Sequence, residues 1–398
     1  MSSSSPTQAS LIQLGNSYRG AGKRESSSSD AKQQQHRHAI KQVAAGEQRL
    51  DGWSVAIDVV ASGLCGTDLH YLGQDVGLGH EGVGVVSALG SALLQDDGAE
   101  AKKLGLKVGS RVGWGYVQGA CLACLPCVQG VDTMCRTRKL YGVTNKHQGS
   151  IGDAYVVDAR FVHLIPDALP LVYAAPLQCA GATVFGAIHA CADLKPWHRV
   201  GVLAIGGLGH LAIQYLSKMG CHVVVFSTSD SKREEAFKLG ASEFVATGRD
   251  NKELKSAIKS ADWKGSVDYL FVASSVQPDW DTYLHPRILS SRATVIPLSV
   301  SADALHIKGY QQLISKEIRI QGSMVASRPV HRIMLDFSAR TRSWPWIELL
   351  PMSPEGVEEA VNRLDAGQVR YRFVLQHPTH KDPLFPDHVP GPALQNKI

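Results

Sequence analysis

The sequence predicts an α/β protein in which an all-β lobe precedes a doubly wound parallel sheet. Short strands punctuated by glycine run from about residue 53 to about residue 165. From Arg199 onward, continuous apolar runs alternate with segments of helical periodicity, which is typical of parallel strands covered by helices on both faces. The length of 398 residues is sufficient for two domains, since a domain takes about 100–200 residues.

Composition excludes several classes of partner. Hydrophobic residues make up 44% and charged residues 19% of the chain, and the formal net charge is only +5. No long block of Lys and Arg suggests a nucleic-acid surface. Apolar runs such as 200–205 are too short to span a bilayer. We therefore expect a small-molecule ligand, with no nucleic acid and no membrane.

The two ends of the chain lack apolar periodicity. Residues 1–48 contain two four-serine runs and a glutamine run, so we expect a disordered low-complexity segment. The composition of residues 1–24 also permits a mitochondrial presequence. Residues 376–398 are expected to form a C-terminal tail. No secretory signal is visible and the cysteines are clustered, which favours metal binding in a reducing, cytoplasmic compartment.

The second half of the chain reads as alternating strands and helices. Val200–Ile205 is a buried strand, and apolar residues follow it at helical spacing from Leu208 to Met219. A second helix is predicted at Lys232–Leu239, closed by Gly240. Further strands are predicted at Val223–Phe226, Phe244–Ala246, Val267–Val272 and Thr294–Pro297.

A glycine-rich turn connects the first of these strands to its helix. The sequence Ala204-Ile-Gly-Gly-Leu-Gly209 stands in the strand–turn–helix context of a dinucleotide fingerprint. Gly206 would let a pyrophosphate approach the backbone, and Gly209 would let the helix pack closely on the strand. Ala204 occupies the place where the first glycine is usual. The predicted cofactor contacts in this turn are Gly206, Gly207, Leu208 and Gly209.

The end of the second strand favours NADP(H) over NAD(H). An NAD site would place an acid there to bind the ribose 2′-hydroxyl, whereas hydroxyls and a lysine suit a 2′-phosphate. Asp230 argues against this choice. Alternatively, Ser231 and Glu234 form a capping box while the basic pair Lys232–Arg233 faces solvent. The predicted contacts are Ser227, Thr228, Ser229 and Lys232.

Four cysteines lie in a C-x2-C-x2-C-x7-C cluster. Four thiolates in one short loop can close a tetrahedral Zn²⁺ shell, which is typical of a structural site. Disulfides fit a reducing compartment poorly, and the C-x3-C-P ending of bacterial iron–sulfur runs is absent. We predict a structural zinc ion bound by Cys121, Cys124, Cys127 and Cys135.

A second set of potential ligands is dispersed along the chain. Cys65, His80 and Cys179 together offer two thiolates and one imidazole, the ligand count of a zinc ion left open for chemistry. Glu81 follows His80 directly. Taken alone, Cys179 would more often be a small buried hydrophobic residue, as we expect for Cys191 and Cys221. The spacing of these residues therefore does not by itself decide whether they form a metal site.

These motifs resemble the zinc-containing medium-chain dehydrogenase/reductase superfamily, and most of all its cinnamyl alcohol dehydrogenase branch. The similarity runs from about residue 50 to residue 375. Its carriers are Cys65-Gly-Thr-Asp-Leu-His70, Gly79-His-Glu-Gly82, the four-cysteine cluster, Ala175-Pro-Leu-Gln-Cys-Ala-Gly-Ala-Thr183, Gly206-Gly-Leu-Gly-His210, Ser227-Thr-Ser229 and Val369-Arg-Tyr-Arg-Phe373.

The resemblance implies a GroES-like β domain formed by residues 49–172, with the structural zinc loop at 115–140, and by residues 326–375. A Rossmann domain would occupy residues 173–325, with the catalytic zinc in the cleft between the domains. The matched positions imply Cys65, His80 and Cys179 as catalytic zinc ligands, Glu81 as an exchanging ligand, Thr67 and His70 as a proton relay, Thr183 beside the nicotinamide and Arg372 at a cofactor phosphate.

The expected function is therefore NADP(H)-dependent interconversion of an alcohol and an aldehyde by a homodimer with two zinc ions per chain. Trp114 and Tyr116 suggest an apolar or aromatic substrate, although both could equally be core residues. Gly66 stands where this branch often has His, as in polyol dehydrogenases, so a polyol substrate is an alternative. The segment between His70 and His80 is shorter than usual, which would also permit a non-catalytic redox sensor.

Overall fold

The computed structural model describes residues 10–24, 37–301, 303–307 and 310–385. These residues divide into two compact units. The first unit holds the described residues up to Cys179, together with Ser327–Ala339 and the described residues from Trp344 onward. The second unit holds Ala180–Ala326 and Arg340–Ser343. The predicted α/β class is confirmed, and the stretch 173–179 groups with the first unit, not with the nucleotide domain to which we assigned it.

The strands of the described residues are, in chain order, β1 Ser10–Gln13, β2 Asn16–Arg24, β3 Arg37–Ala44, β4 Glu47–Leu50, β5 Ser54–Leu64, β6 Glu81–Leu89, β7 Arg111–Trp114, β8 Val117–Gly119, β9 Lys139–Leu140, β10 Ala154–Asp158, β11 His163–Leu164, β12 Arg199–Leu203, β13 His222–Ser227, β14 Glu243–Ala246, β15 Val267–Val272, β16 Leu289–Pro297, β17 Arg319–Ile320, β18 Ile347–Pro351 and β19 Arg372–Gln376. The α-helices are α1 Gly66–Leu69, α2 Ser91–Leu104, α3 Leu125–Val128, α4 Leu171–Pro176, α5 Ala182–Ala190, α6 Gly209–Lys218, α7 Arg233–Lys238, α8 Lys252–Ala257, α9 Trp280–Tyr283, α10 Tyr310–Ser315, α11 Arg328–Thr341 and α12 Pro354–Asp365.

The first unit is built on a mixed sheet with the order β11-β7-β6-β5-β19-β18, to which β10 adds by pairing with β5. All of its pairs are antiparallel except β18 with β19. The long strand β5 is central, and its alternating side chains Val55, Ile57 and Val59 are fully buried in the core. This unit is not purely β, because α2 and α12 pack within it.

The second unit contains a six-stranded parallel sheet, counted over its described residues, with the order β14-β13-β12-β15-β16-β17. The order reverses direction at β12, so the first strand of the unit lies in the middle of the sheet. In doubly wound sheets such a switch point is where a ligand binds, at the carboxyl ends of the strands. The glycine-rich turn follows β12 directly.

The N-terminal segment differs from our expectation of disorder over residues 1–48. Residues 10–24 and 37–50 form β1 to β4, with β1 paired to β4 and β2 paired to β3. Leu14, Tyr18 and Ile40 are buried against the first unit, so tertiary packing supplies the apolar contacts that local periodicity did not show. Residues 1–9 and 25–36 lie outside the described residues.

The C-terminal segment is also fixed as far as it is described. Arg111 forms a buried two-pronged ion pair with Asp382, from Nε to Oδ1 and from Nη2 to Oδ2, both at 2.9 Å. The same carboxylate accepts a hydrogen bond from the backbone nitrogen of Leu171 at 2.8 Å. Residues 376–385 are therefore part of the first unit and not a free tail.

One stretch of the described chain, Leu171–Ala190, is long and apolar enough to cross a membrane by length and composition. It joins α4 to α5 through a π-helical turn at Leu177–Gly181. Because 89% of its apolar window is buried inside the protein, the stretch has the properties of a core helix.

Candidate metal centre and nucleotide turn

Strand register brings the dispersed ligands together. In the antiparallel pair β5–β6, Gly63 stands opposite Glu81, so Cys65, just after β5, meets His80, just before β6. On the other side of β5, Phe373 of β19 stands opposite Leu64, which places Arg372 at the same end of the sheet. Cys179 reaches this end from the π-helical turn that follows α4.

The four side chains converge on one point. Cys65, His80, Glu81 and Cys179 each offer a ligand atom, and these atoms all lie within 4.8 Å of one another. The Nε2 atom of His80 is 3.3 Å from Sγ of Cys179. His80 and Glu81 are completely buried. The structure therefore assembles the predicted ligand group within the first unit.

Asp68 organises this group, and our sequence analysis did not single it out. Its Oδ2 accepts a hydrogen bond from the backbone nitrogen of Cys65 at 2.9 Å, and its Oδ1 accepts one from the backbone nitrogen of Gly79 at 3.1 Å. His80 donates from Nδ1 to Oδ1 of Asp68 at 3.0 Å, which directs Nε2 toward the cysteines. The sequence signal that could have identified Asp68 is the capping-box pattern, in which an acid stands three residues after the helix cap.

Electrostatics in this group hold one of its thiols in the anionic form. The hydrogen bond with Cys179, followed by the one with His80, holds the pKa of Cys65 well below its usual range despite burial. The thiolate is the form in which cysteine binds metal. Burial raises the pKa of Glu81 to about 8, although the Arg372 guanidinium acts in the opposite direction.

Glu81 and Arg372 form a buried ion pair beside the cysteines. Among the described residues, Oε2 of Glu81 and Nε of Arg372 have no hydrogen-bond partner. Gly63 makes room for this carboxylate, since a Cβ atom there would lie 1.9 Å from Oε2 of Glu81. Two sulfurs, one imidazole and an unsatisfied carboxylate oxygen are a donor set that suits Zn²⁺.

The four-cysteine loop is also assembled. The Sγ atom of Cys127 lies 4.0 Å from that of Cys121 and 3.5 Å from that of Cys124, and Cys135 lies 3.6 Å from Cys121. None of these thiols is in a disulfide within the described chain. A backbone hydrogen bond from Cys121, helped by Thr137, lowers the pKa of Cys135 to about 6. The donor set fits the tetrathiolate shell of a structural zinc ion.

The other residues predicted near the metal fall into distinct positions. Oγ1 of Thr67 lies 3.8 Å from Sγ of Cys65, and the side chain of His70 is exposed to solvent one turn later. Thr183 is half-buried at the start of α5 in the second unit. Arg372 contacts Glu81, and its predicted contact with a cofactor phosphate stays a prediction.

The two aromatic residues proposed for the substrate site have different environments. Trp114 is fully buried and stacks on Tyr155 at a centroid distance of 4.8 Å, so it belongs to the core. Tyr116 is half-buried and lies edge-on to His80 at 5.8 Å. Tyr141, which the sequence analysis missed, stacks on His80 at 4.9 Å. An aromatic side wall therefore adjoins the ligand group.

The nucleotide turn has the geometry of the fingerprint. A Cβ atom on Gly209 would lie 2.0 Å from the backbone oxygen of Ala204, so only glycine permits this close helix–strand contact. Gly206 faces open space, with no atom within 4 Å of a built Cβ. Ala204 adopts a φ of +74°, a conformation that normally calls for glycine. The backbone thus keeps the usual turn in spite of the alanine.

The end of β13 carries the residues predicted to select the cofactor. Nζ of Lys232 donates to the backbone oxygen of Ile205 at 2.9 Å, which places the lysine beside the glycine-rich turn. Asp230 is paired with Arg233, from Nε to Oδ1 at 2.8 Å. The alternative capping box does not form, because α7 begins at Arg233 without a side-chain cap. Ser227 is half-buried, whereas Thr228 and Ser229 are exposed.

Comparison with known proteins agrees with this description. Residues 51–167 match the alcohol dehydrogenase GroES-like domain, and residues 207–340 match the zinc-binding dehydrogenase domain. A probable cinnamyl alcohol dehydrogenase of Pinus radiata is 32% identical over 81% of this chain and 87% of its own length. An NADP-dependent alcohol dehydrogenase C 1 of Mycolicibacterium smegmatis is 32% identical over 81% and 89%. A cinnamyl alcohol dehydrogenase structure from Sorghum bicolor superposes with a TM-score of 0.74 at 29% identity, covering 91% and 97%.

These matches and the two-unit fold define a zinc-containing medium-chain dehydrogenase/reductase. Within that class the chain belongs to the alcohol dehydrogenase family, in its cinnamyl alcohol dehydrogenase-like branch. It is accordingly an oxidoreductase acting on CH–OH groups.

Proposed function

We propose that this protein interconverts primary alcohols and aldehydes with NADP(H), using a zinc ion held by Cys65, His80 and Cys179. The convergence of these three side chains with Glu81 within 4.8 Å supports this proposal. A second zinc ion would be bound by the four-cysteine loop, whose sulfurs lie 3.5 to 4.0 Å apart along the measured contacts.

The bound zinc ion would supply a Lewis acid for the substrate oxygen, and the nicotinamide would supply or accept the hydride. The chain's own residues would handle the proton. Thr67 lies beside the ligand group and has a hydroxyl able to pass a proton, and the exposed imidazole of His70 can exchange it with water. Glu81, with one free oxygen in a buried position, would act as an alternative ligand.

Lys232 supports the choice of NADP(H). Its hydrogen bond to Ile205 holds a positive charge at the nucleotide turn, where a 2′-phosphate would be attracted. Asp230, the residue that argues for NAD(H), is paired with Arg233, which partly neutralises its charge. The relative from Mycolicibacterium smegmatis is named NADP-dependent.

An aromatic or allylic substrate is favoured by the aromatic side wall. Tyr116 and Tyr141 both contact His80, and the ring of Tyr71 packs on Tyr141 at 5.3 Å. Tyr141 is fully buried, so the half-buried Tyr116 is the ring against which a planar substrate would stack. The names of the plant relatives point to the same class.

A homodimer is supported by the edge of the parallel sheet. Among the described residues, β17 pairs with β16 alone, which leaves one edge available to a second chain. Ile320 of β17 is 38% exposed, and Tyr310 and Ile314 of the preceding helix α10 are 68% and 67% exposed. Ile314→Asp should therefore convert a dimer into monomers in sedimentation experiments, and an unchanged mass would contradict this interface. The cytoplasm is proposed because the cysteines of both groups are free thiols.

The proposed activity is tested with a panel of cinnamyl-type aldehydes, aliphatic aldehydes, ketones and polyols. Each would be assayed with NADPH and with NADH, and zinc content would be measured alongside. We expect the highest kcat/KM for an aromatic aldehyde with NADPH and two zinc ions per chain. Turnover confined to polyols would favour the polyol alternative. Cofactor binding without turnover of any substrate would favour a redox sensor.

A further inference from the structure

Tyr141 lies directly beneath the imidazole of His80. It follows β9, which forms the base of the four-cysteine loop, and its side chain is fully buried. The two rings stack with a centroid distance of 4.9 Å and an interplanar angle of 27°. Tyr141 therefore covers one face of the imidazole.

The hydroxyl of Tyr141 also holds the backbone that leads into His80. It accepts a hydrogen bond from the nitrogen of Gly79 and donates one to the oxygen of Gly77, both at 3.0 Å. Gly79 has a φ of +97°, so the chain turns sharply at this point. One phenol group thus fixes both sides of the turn that aims His80 at the cysteines.

The ring of Tyr141 is itself held in place. Tyr71 packs against it edge-on, at 5.3 Å and 80°. The adjacent Gly142 leaves room for this contact, since a Cβ atom there would lie 2.3 Å from Cζ of Tyr71. A mobile phenol could not fix the turn, and the packing of Tyr71 restricts the motion of this ring.

We propose that Tyr141 is a positioning residue that sets the orientation of His80 as a metal ligand, sharing this task with Asp68. Asp68 bonds Nδ1 of the imidazole and the nitrogen of Gly79, whereas Tyr141 fixes the ring plane and the oxygen of Gly77. The inference rests on the proposed function, because it requires a metal ion at Cys65, His80 and Cys179. It predicts that removing one hydroxyl weakens metal binding while every ligand is kept.

The test compares Tyr141→Phe with Tyr18→Phe. Both substitutions remove a buried phenol hydroxyl of the first unit, and the Tyr18 hydroxyl donates to the oxygen of Met352 at 3.1 Å, apart from the ligand group. Zinc affinity would be measured by competition with a chromophoric chelator. The spectrum of the Co²⁺-substituted protein would report ligand geometry. A Cys179→Ala sample provides the signal of the four-cysteine loop alone, which is subtracted.

We expect Tyr141→Phe to lower zinc affinity at the Cys65 site roughly 10–100-fold, as is usual for partners that orient metal ligands. Its Co²⁺ ligand-field bands should shift, while Tyr18→Phe and the four-cysteine loop should match the wild type. Equal affinity and identical bands in Tyr141→Phe would overturn the inference and leave the proposed function intact. Equal losses in both variants would show a general stability effect and would also overturn it. If wild-type protein bound no metal at Cys65, His80 and Cys179, the proposed function itself would fail.

Discussion

Lys232 donates a hydrogen bond from Nζ to the backbone oxygen of Ile205 at 2.9 Å, across 27 residues of sequence. The bond joins the segment between β13 and α7 to the turn after β12, and a doubly wound sheet binds the ribose and the pyrophosphate of a dinucleotide in these two regions. A cationic side chain is thereby held at the turn before any cofactor arrives.

Replacing Lys232 by alanine should weaken the binding of NADPH more than the binding of NADH. A charge-assisted hydrogen bond to a phosphate is worth about 1.5–3 kcal/mol, so we expect the KM for NADPH to rise roughly 10–100-fold. The KM for NADH should change little. Lys238→Ala is a matched control, because Lys238 is exposed at the far end of α7. Equal effects of Lys232→Ala on both cofactors would exclude Lys232 from the phosphate site.

Ala204→Gly should stabilise the protein. The φ of +74° costs a non-glycine residue about 1–2 kcal/mol in the folded protein, and glycine would remove this strain. Glycine also has more conformational freedom in the unfolded chain, which offsets part of the gain. We expect a net gain of up to about 1 kcal/mol in the free energy of unfolding by urea. Ala212→Gly, inside α6, should instead be destabilising. A loss of stability in Ala204→Gly would show that its methyl group makes contacts that outweigh the strain.

Cys179→Ala should abolish turnover and lower the zinc content from two ions per chain to one. The remaining Cys65, His80 and Glu81 lack the second thiolate of the ligand set, whereas the four-cysteine loop is untouched. Cys191→Ala provides the control, since Cys191 is equally buried but lies outside both ligand groups. Wild-type rates in Cys179→Ala would refute a catalytic role for this site.

Cys124→Ser should lower the melting temperature and release the zinc ion of the four-cysteine loop. In small zinc domains, roughly 10–16 kcal/mol of metal binding is folding free energy, and this loop buries few side chains of its own. Leu125, Val128 and Met134 are exposed there. Cys221→Ser, a buried thiol outside both groups, should retain both zinc ions. An unchanged melting curve for Cys124→Ser would argue against a structural metal.

Acid should destabilise the protein through a buried histidine pair. His163 and His331 stack at 3.8 Å, and His331 donates to Oε1 of Gln178 at 3.1 Å. Burial lowers the pKa of His331 to about 3 and, together with the charge of His331, lowers that of His163 well below its usual value. Because the unfolded chain binds these protons near pH 6.5 and the folded protein does not, stability is full above that pH.

The loss due to His331 should therefore occur as the pH falls from about 6.5 toward 3, at about 1.4 kcal/mol per pH unit, and His163 should add to the loss below about pH 6.5. Urea unfolding at a series of pH values in this range measures the slope. In His331→Gln one titrating ring is removed. Unfolding should then take up about one proton fewer, and the slope should decrease by about 1.4 kcal/mol per pH unit. A variant with the wild-type slope would show that His331 is protonated in the folded state.

Much of the second unit was predictable because its signals are local. The predicted strands at 200–205, 223–226 and 267–272 correspond to β12, β13 and β15, each a continuous apolar run bounded by a turn. The nucleotide turn was predictable because its glycine pattern lies between a predicted strand and a predicted helix. The four-cysteine loop was predictable for the same reason, since all its ligands lie within 15 residues.

The N-terminal strands and the C-terminal segment could not be predicted in this way. β2 and β3 are stabilised by pairing with each other and by contacts far along the chain, such as the bond from the backbone nitrogen of His38 to Asn362 at 2.7 Å. Asp382 owes its position to Arg111, 271 residues earlier. Such contacts leave no periodicity in the local sequence.

The sequence by itself determined the class of protein, the ligand types and the nucleotide turn, because thiolates, imidazole and glycine have chemical roles that few other residues can fill. Only the tertiary structure decided how those residues are held. Asp68 and Tyr141 orient His80, Glu81 pairs with Arg372, and Trp114 enters the core while Tyr116 lines the ligand group. The physical reason is that orientation and burial arise from strand register and packing between distant segments, which no single stretch of sequence contains.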